Sequence, residues 1–169
     1  PTPAHNPHYM HPEQILEPLL TCYESLHECK AGNIADGLLL DIIRQIKCFG
    51  LSLVRMDIRQ EASRHVGLMS IITDSIGLGD YRQWSEEQRQ EFLLANLADS
   101  NIVIGMDIWL NDEVAETAQT FKLLAELPRD SLGSYVISMA SRPSDVLAVL
   151  LLQKEFGLQD FLPVVPLFE

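Results

Sequence analysis

LSLVRMDIRQEASRH, residues 51–65, passes from an apolar run into a cluster of charges and then into a helical pattern. Leu51 to Ile58 reads as a strand. Asp57, Arg59, Glu61, Arg64 and His65 stand where that strand emerges. From Ser63 to about Ile76 the apolar residues follow helical spacing, until Gly77-Leu78-Gly79 closes the run. The same alternation recurs downstream. Gly133 to Met139 reads as a second strand. Pro143 then suits the first turn of a helix over Ser144 to Phe156, with Gly157 as its stop. Leu162 to Phe168 reads as a third strand, weakened by Pro163 and Pro166. Strands alternating with helices predict parallel strands joined by helical crossovers. Such strands read as apolar runs because both their faces are buried.

The remaining segments are helical or irregular. Pro1 to Pro12 is a Pro- and His-rich loop. Glu13 to about Lys30 has helical periodicity, with Pro18 marking a start or a kink. Ile34 to Cys48 predicts a second helix, with Leu38, Leu39, Ile42, Ile43 and Ile46 on its buried side and Gly50 ending it. Ser85-Glu86-Glu87-Gln88 is a capping box that opens a helix to about Asp99. Asn101 to Leu110 reads as an extended loop. Asn111 to Leu127 reads as a helix stopped by Pro128.

The 169 residues are 47% hydrophobic, enough for one domain with a core. A net charge of −12 disfavours a nucleic-acid-binding surface. It is most simply a solubility feature, and it leaves room for a small anionic substrate where arginines converge. Cys22, Cys29 and Cys48 are odd in number and lack metal-type spacing, so they read as reduced thiols. No apolar run approaches the length of a membrane span, and no signal-peptide pattern is present. Both ends read as cut, so a piece of a longer protein is expected.

In parallel α/β architectures functional groups collect at the carboxyl ends of strands. Here those ends deliver Asp57, Arg59 and Glu61, then Met139, Ser141 and Arg142, then Leu167 and Glu169. An arginine offers a planar fork of donors that suits phosphate. A carboxylate on the same rim can hold Mg²⁺ or Mn²⁺. Together they suit an anionic substrate and a divalent metal.

Several stretches carry a family resemblance. FGLSLVRMDIRQEASRH (Phe49 to His65) resembles the FGL-strand-DIRQES-x-RH segment of the phosphoenolpyruvate carboxylase family. SYVISMASRPSDVLAVLLLQKE (Ser134 to Glu155) resembles its Y-I/V-I-S-M-A-x-x-P-S-D-V-L-A-V block, and LPVVPLFE (Leu162 to Glu169) its P-V-V-P-L-F-E strand. LEPLLTCYESLHECKAGNIADGLLLDIIRQ (Leu16 to Gln45) is similar to its helical pair, including the IADG turn. GLGDYRQWSEEQRQEFLLANL (Gly77 to Leu97) is similar to the segment between. The blocks run in family order from about residue 13 onward.

The resemblance implies a mostly helical α/β slice of a (β/α)₈-type barrel. The chain would be one internal fragment, residues 1–48 helical and residues 49–169 carrying barrel strands and crossover helices. The implied parent is a cytosolic or organellar homotetramer. Its reaction is a carbon–carbon lyase chemistry of carbon dioxide fixation. Phosphoenolpyruvate and bicarbonate become oxaloacetate and phosphate through carboxyphosphate and a pyruvate enolate, with Mg²⁺ or Mn²⁺ offsetting the enolate charge. By the family's motifs, Arg59 is the phosphate-binding catalytic arginine of DIRQ. Leu167 lines the apolar CO₂ pocket, and Glu169 is the metal ligand that ends PLFE. A dry pocket suits this chemistry, because water there would protonate the enolate.

The family's catalytic histidine lies in a T-A-H-P-T motif that no histidine here occupies. Its second metal carboxylate, its G-R-G-G loop and further phosphate arginines follow the PLFE strand. The segment therefore holds part of a site, and alone should not turn over. It also departs from the pattern. Ala62 replaces the usual serine, Arg142 stands where a small residue is usual, and Asn101 to Asn111 lacks the Arg-Pro-Leu segment. Two rivals remain: a non-catalytic helical scaffold or interaction module, and another barrel enzyme acting on phosphoenolpyruvate or pyruvate. A T-A-H-P-T block upstream and a second acidic metal ligand downstream in the parent gene would separate the carboxylase from both.

Plainer readings stand beside these. His5, His8 and His11 have metal-like spacing on a proline-rich loop that fixes no geometry. His65 suits ordinary hydrogen bonding at a helix start. Asp57 and Glu61 suit a role orienting Arg59. Ser138, Ser141 and Ser144 have no paired His and Asp, which argues against nucleophilic catalysis.

Overall fold

The computed structural model describes residue 9 and residues 11–52, 54–99 and 112–168. The extended loop expected over residues 101–110 lies outside them, as do His5, His8 and Glu169. The chain divides into two compact units, Pro1–Val54 and Arg55–Glu169.

The first unit is helical. Helix α1, Glu13–Glu28, runs through Pro18 without ending there. After the short turn α2, Gly32–Ile34, a π-turn occupies Ala35–Leu39, and α3 covers Leu40–Phe49. The single helix expected from Ile34 is thus broken. Gly37 adopts ψ −131°, outside the helical range, which glycine tolerates. Asp36 is drawn toward α1, accepting hydrogen bonds from Tyr23 Oη at 2.8 Å and His27 Nε2 at 3.1 Å. The expected buried side is only partly realised. Ile43 is buried, but Leu38 is 75% exposed. Gly50, at φ 63°, ends α3 as expected.

The second unit alternates strands and helices. Strand β1 is Met56–Glu61, followed by α4, Ala62–Ser75, and α5, Glu86–Ala98. Helix α6, Asp112–Glu126, precedes β2, Leu132–Ser138. Helix α7, Pro143–Glu155, leads to β3, Val164–Pro166. The sheet has the order β1-β2-β3 and both pairings are parallel, as the crossover pattern predicts. The capping box forms as read: Ser85 Oγ accepts the Gln88 N–H, and the Gln88 side chain accepts the Ser85 N–H. The first strand begins later than expected, at Met56 rather than Leu51. Its only strand partner among the described residues is β2, whose pairing starts at Leu132 opposite Met56.

The core lies on one face of the sheet. Ile58, Tyr135, Ile137 and Val164 face helices α4, α6 and α7, where Leu68, Ile72, Phe121, Leu151 and Leu152 are buried. The Phe121 and Tyr135 rings stack with centroids 5.3 Å apart. Buried Gln153 on α7 bonds both the N–H and the carbonyl of Leu162, fixing the chain as it enters β3. Burial on both faces, expected of parallel strands, is not what the described residues form. Burial alternates along β1, and Val165 is 40% exposed, because the helices described within this unit cover a single face.

Candidate functional site

The face opposite the core carries two of the three predicted site residues. Arg59 pairs in register with Val136, and Val136 with Val165, so the three form one row across the sheet. Leu167 lies two residues beyond Val165, hence on the same face and nearer the carboxyl rim. Its N–H donates to the Ile137 carbonyl at 2.8 Å, which extends the ladder past Pro166. Arg59 is exposed and Leu167 half-buried. Glu169 lies outside the described residues.

The charges around Arg59 disperse. Asp57 Oδ1 accepts the Ser134 N–H at 2.6 Å, tying β1 to the start of β2. The carboxylate fits there because residue 133 is glycine; a Cβ at Gly133 would collide with it. Glu61 precedes α4 and accepts the Ser63 hydroxyl at 2.8 Å. Arg64 pairs with Glu116 at 3.7 Å. His65 lies in the first turn of α4 and makes an ordinary hydrogen bond, as expected, and its ring is buried in the core. Its Nε2 meets Tyr135 Oη at 2.8 Å, and its Nδ1 has no partner among the described residues. Burial lowers its pKa from 6.5 to about 4. It is a neutral imidazole facing away from the open face, unsuited to proton transfer with a substrate there.

The loop after β2 forms the rim. Met139 takes φ 56°. Asp145 Oδ2 accepts the N–H groups of Ser141 and Arg142 at 2.9 and 3.0 Å. Glu86, at the start of α5, accepts the Ser144 N–H at 3.0 Å and its hydroxyl at 2.7 Å. Partial burial raises the Glu86 pKa, but hydrogen bonds from Ser144 and Gln90 outweigh it and hold the carboxyl below its ordinary value. Ser144 is thus a capped helix-start residue without nucleophilic apparatus. Sequence reading missed Asp145 and Glu86 as loop anchors. Asp145 was legible as an acidic third residue of a helix opened by Pro143. Glu86 was not, being 58 positions from its partner.

A divalent cation of the magnesium type takes several oxygen donors. The described residues contain no group of three His, Cys, Asp or Glu able to hold a metal. They do not by themselves fit the ion.

Comparison with known proteins bears on this arrangement. A family model described as phosphoenolpyruvate carboxylase matches residues 1–169. The chain is 56% identical to a phosphoenolpyruvate carboxylase, housekeeping isozyme, of Saccharum hybrid over 93% of this chain and 16% of that protein. It is 55% identical to a C4 phosphoenolpyruvate carboxylase of Flaveria trinervia, over 95% of this chain and 17% of the relative. It is 54% identical to phosphoenolpyruvate carboxylase 1 of Zea mays, over 93% and 16%. The chain therefore spans about a sixth of the length of these relatives.

Proposed function

The chain belongs to the phosphoenolpyruvate carboxylase family, and on that premise we propose that it supplies part of the active site of an enzyme that carboxylates phosphoenolpyruvate with bicarbonate. The products are oxaloacetate and phosphate. The observation that carries the reading is the shared face of Arg59, within β1, and Leu167, just past the carboxyl end of β3, on a parallel sheet. Arg59 binds the phosphoryl group through its fork of donors. Leu167 lines an apolar place for CO₂ beside it. Glu169 is one carboxylate donor to Mg²⁺ or Mn²⁺, the ion that would offset enolate charge, and its other donors come from outside this segment.

One-sided cover supports the wider architecture. A three-stranded parallel sheet with one open face fits a slice of a (β/α)₈-type barrel, whose inward residues face one another across the interior. On this reading residues 1–169 are one internal piece, with helices over 1–48 and barrel strands and crossovers over 49–169. The parent enzyme works as a cytoplasmic homotetramer.

The test is oxaloacetate formation from phosphoenolpyruvate and bicarbonate with Mg²⁺, using the full-length enzyme that carries this segment. Arg59→Lys keeps the charge and removes the fork. It should lower kcat/KM by about 100-fold, roughly 3 kcal/mol of transition-state stabilisation. Equal activity in both proteins would reduce Arg59 to an ion-paired rim residue. A folded but inactive wild type would defeat the carboxylase reading and favour a scaffold.

A further inference from the structure

The ladder between β2 and β3 changes as it reaches the rim. Leu167 donates its N–H to the Ile137 carbonyl, so in an unbroken parallel ladder its carbonyl would take the N–H of Met139. It takes the N–H of Ala140 instead, at 3.2 Å. Ser138 and Met139 therefore stand opposite one residue, Leu167, just past β3, which is a bulge. Met139 carries the left-handed backbone of that bulge, φ 56°, a conformation disfavoured for any residue with a Cβ. A turn needing only that backbone would be best served by glycine. Met139 is instead large and apolar, and it is 56% exposed beside a buried Ala140. The bulge is not slack, because Asp145 holds the next two N–H groups and Glu86 holds Ser144.

We infer that Met139 is a specificity-determining residue of the carboxylation site, an apolar wall that the bulge presents next to Leu167 to keep water from the enolate. The inference rests on the function proposed above. The enolate has two fates at its terminal carbon. Its electron pair can form a bond to the carbon of CO₂, which gives oxaloacetate. Or it can take a proton from water, which leaves hydroxide and gives pyruvate. Neither route needs an oxidant or a reductant. A dry wall favours the first, and a flexible, polarisable thioether suits a small apolar reactant.

The experiment uses the full-length enzyme and measures oxaloacetate and pyruvate together, for wild type, Met139→Gly and Met139→Leu. Glycine accepts the backbone conformation, so that variant keeps the bulge and loses the wall. Leucine keeps the bulk. Met139→Gly should raise the pyruvate share at least about fivefold while the KM for phosphoenolpyruvate moves less than about twofold. Met139→Leu should stay close to wild type. An unchanged pyruvate share in Met139→Gly, or an equal fall in both products, overturns the assignment, since a merely structural residue lowers both together. A wild type that forms oxaloacetate with an unaltered glycine variant defeats this inference alone. A wild type that forms neither product defeats the carboxylase reading and this inference with it.

Discussion

Between Asp57 and His65 the chain writes one charged cluster, and folding sends its members to different tasks. Asp57 pins β2, Arg64 pairs with Glu116, and Arg59 stays on the open face of the sheet. His65 turns inward, where burial rather than any partner depresses its pKa from 6.5 to about 4. The native state therefore binds fewer protons than the unfolded chain between these values. The stabilisation is fully present above the unfolded pKa and is lost as pH falls toward the folded one. The shift corresponds to about 3 kcal/mol. Hydrogen-exchange protection of the β1–β2 amides in the full-length enzyme, corrected for intrinsic rates, should fall between pH 6.5 and pH 5. In His65→Gln, which cannot titrate, the fall should be smaller. Equal pH dependence in both proteins would show that burial does not depress the His65 pKa.

Pairing between elements depends on a few side chains that bridge them. Lys154 on α7 donates to the Asn96 and Leu97 carbonyls at the end of α5, while Glu86 at the start of α5 holds Ser144 on α7. These two contacts tie both ends of the helices. The β1–β2 register depends on the Asp57 carboxylate, which reaches the Ser134 N–H only past a residue without a Cβ. Gly133→Ala should destabilise the pair by about 1–3 kcal/mol, as overpacking does. In an Asp57→Ala background the same change should cost less, because the colliding group is gone. Hydrogen-exchange protection of the β2 amides in the four proteins of that cycle measures the coupling. Additive effects would mean that the carboxylate and Gly133 act independently.

Taken as 169 residues alone, the molecule leaves much apolar surface to water. Leu38 is 75% exposed and Phe168 78%, and among the described residues of the second unit the sheet has one open face and strand edges. Exposed edges and patches of this kind recruit other chains. The isolated segment should associate, bind a hydrophobic dye and melt broadly. Light scattering, dye fluorescence and calorimetry on the isolated chain check this. A monomer with a sharp cooperative melt would contradict it.

Alternating strand and helix patterns, with Pro143 and the Ser85 box as punctuation, determined the element order and the parallel crossovers, because periodicity and caps are local properties of sequence. The motif around Arg59 marked a candidate for the same reason. Other features arose only from tertiary structure. Met56 became the strand start because β2 begins its pairing there. Leu38 became exposed because Asp36 and Gly37 broke the expected helix. His65 became neutral because Phe121 and Tyr135 enclose it. The bulge at Met139 depends on which N–H the Leu167 carbonyl accepts, and that choice is made between strands distant in sequence. Periodicity reports which side of an element is apolar. It does not report whether anything comes to cover that side, and here that decided which face of the sheet became core and which was left for Arg59 and Leu167.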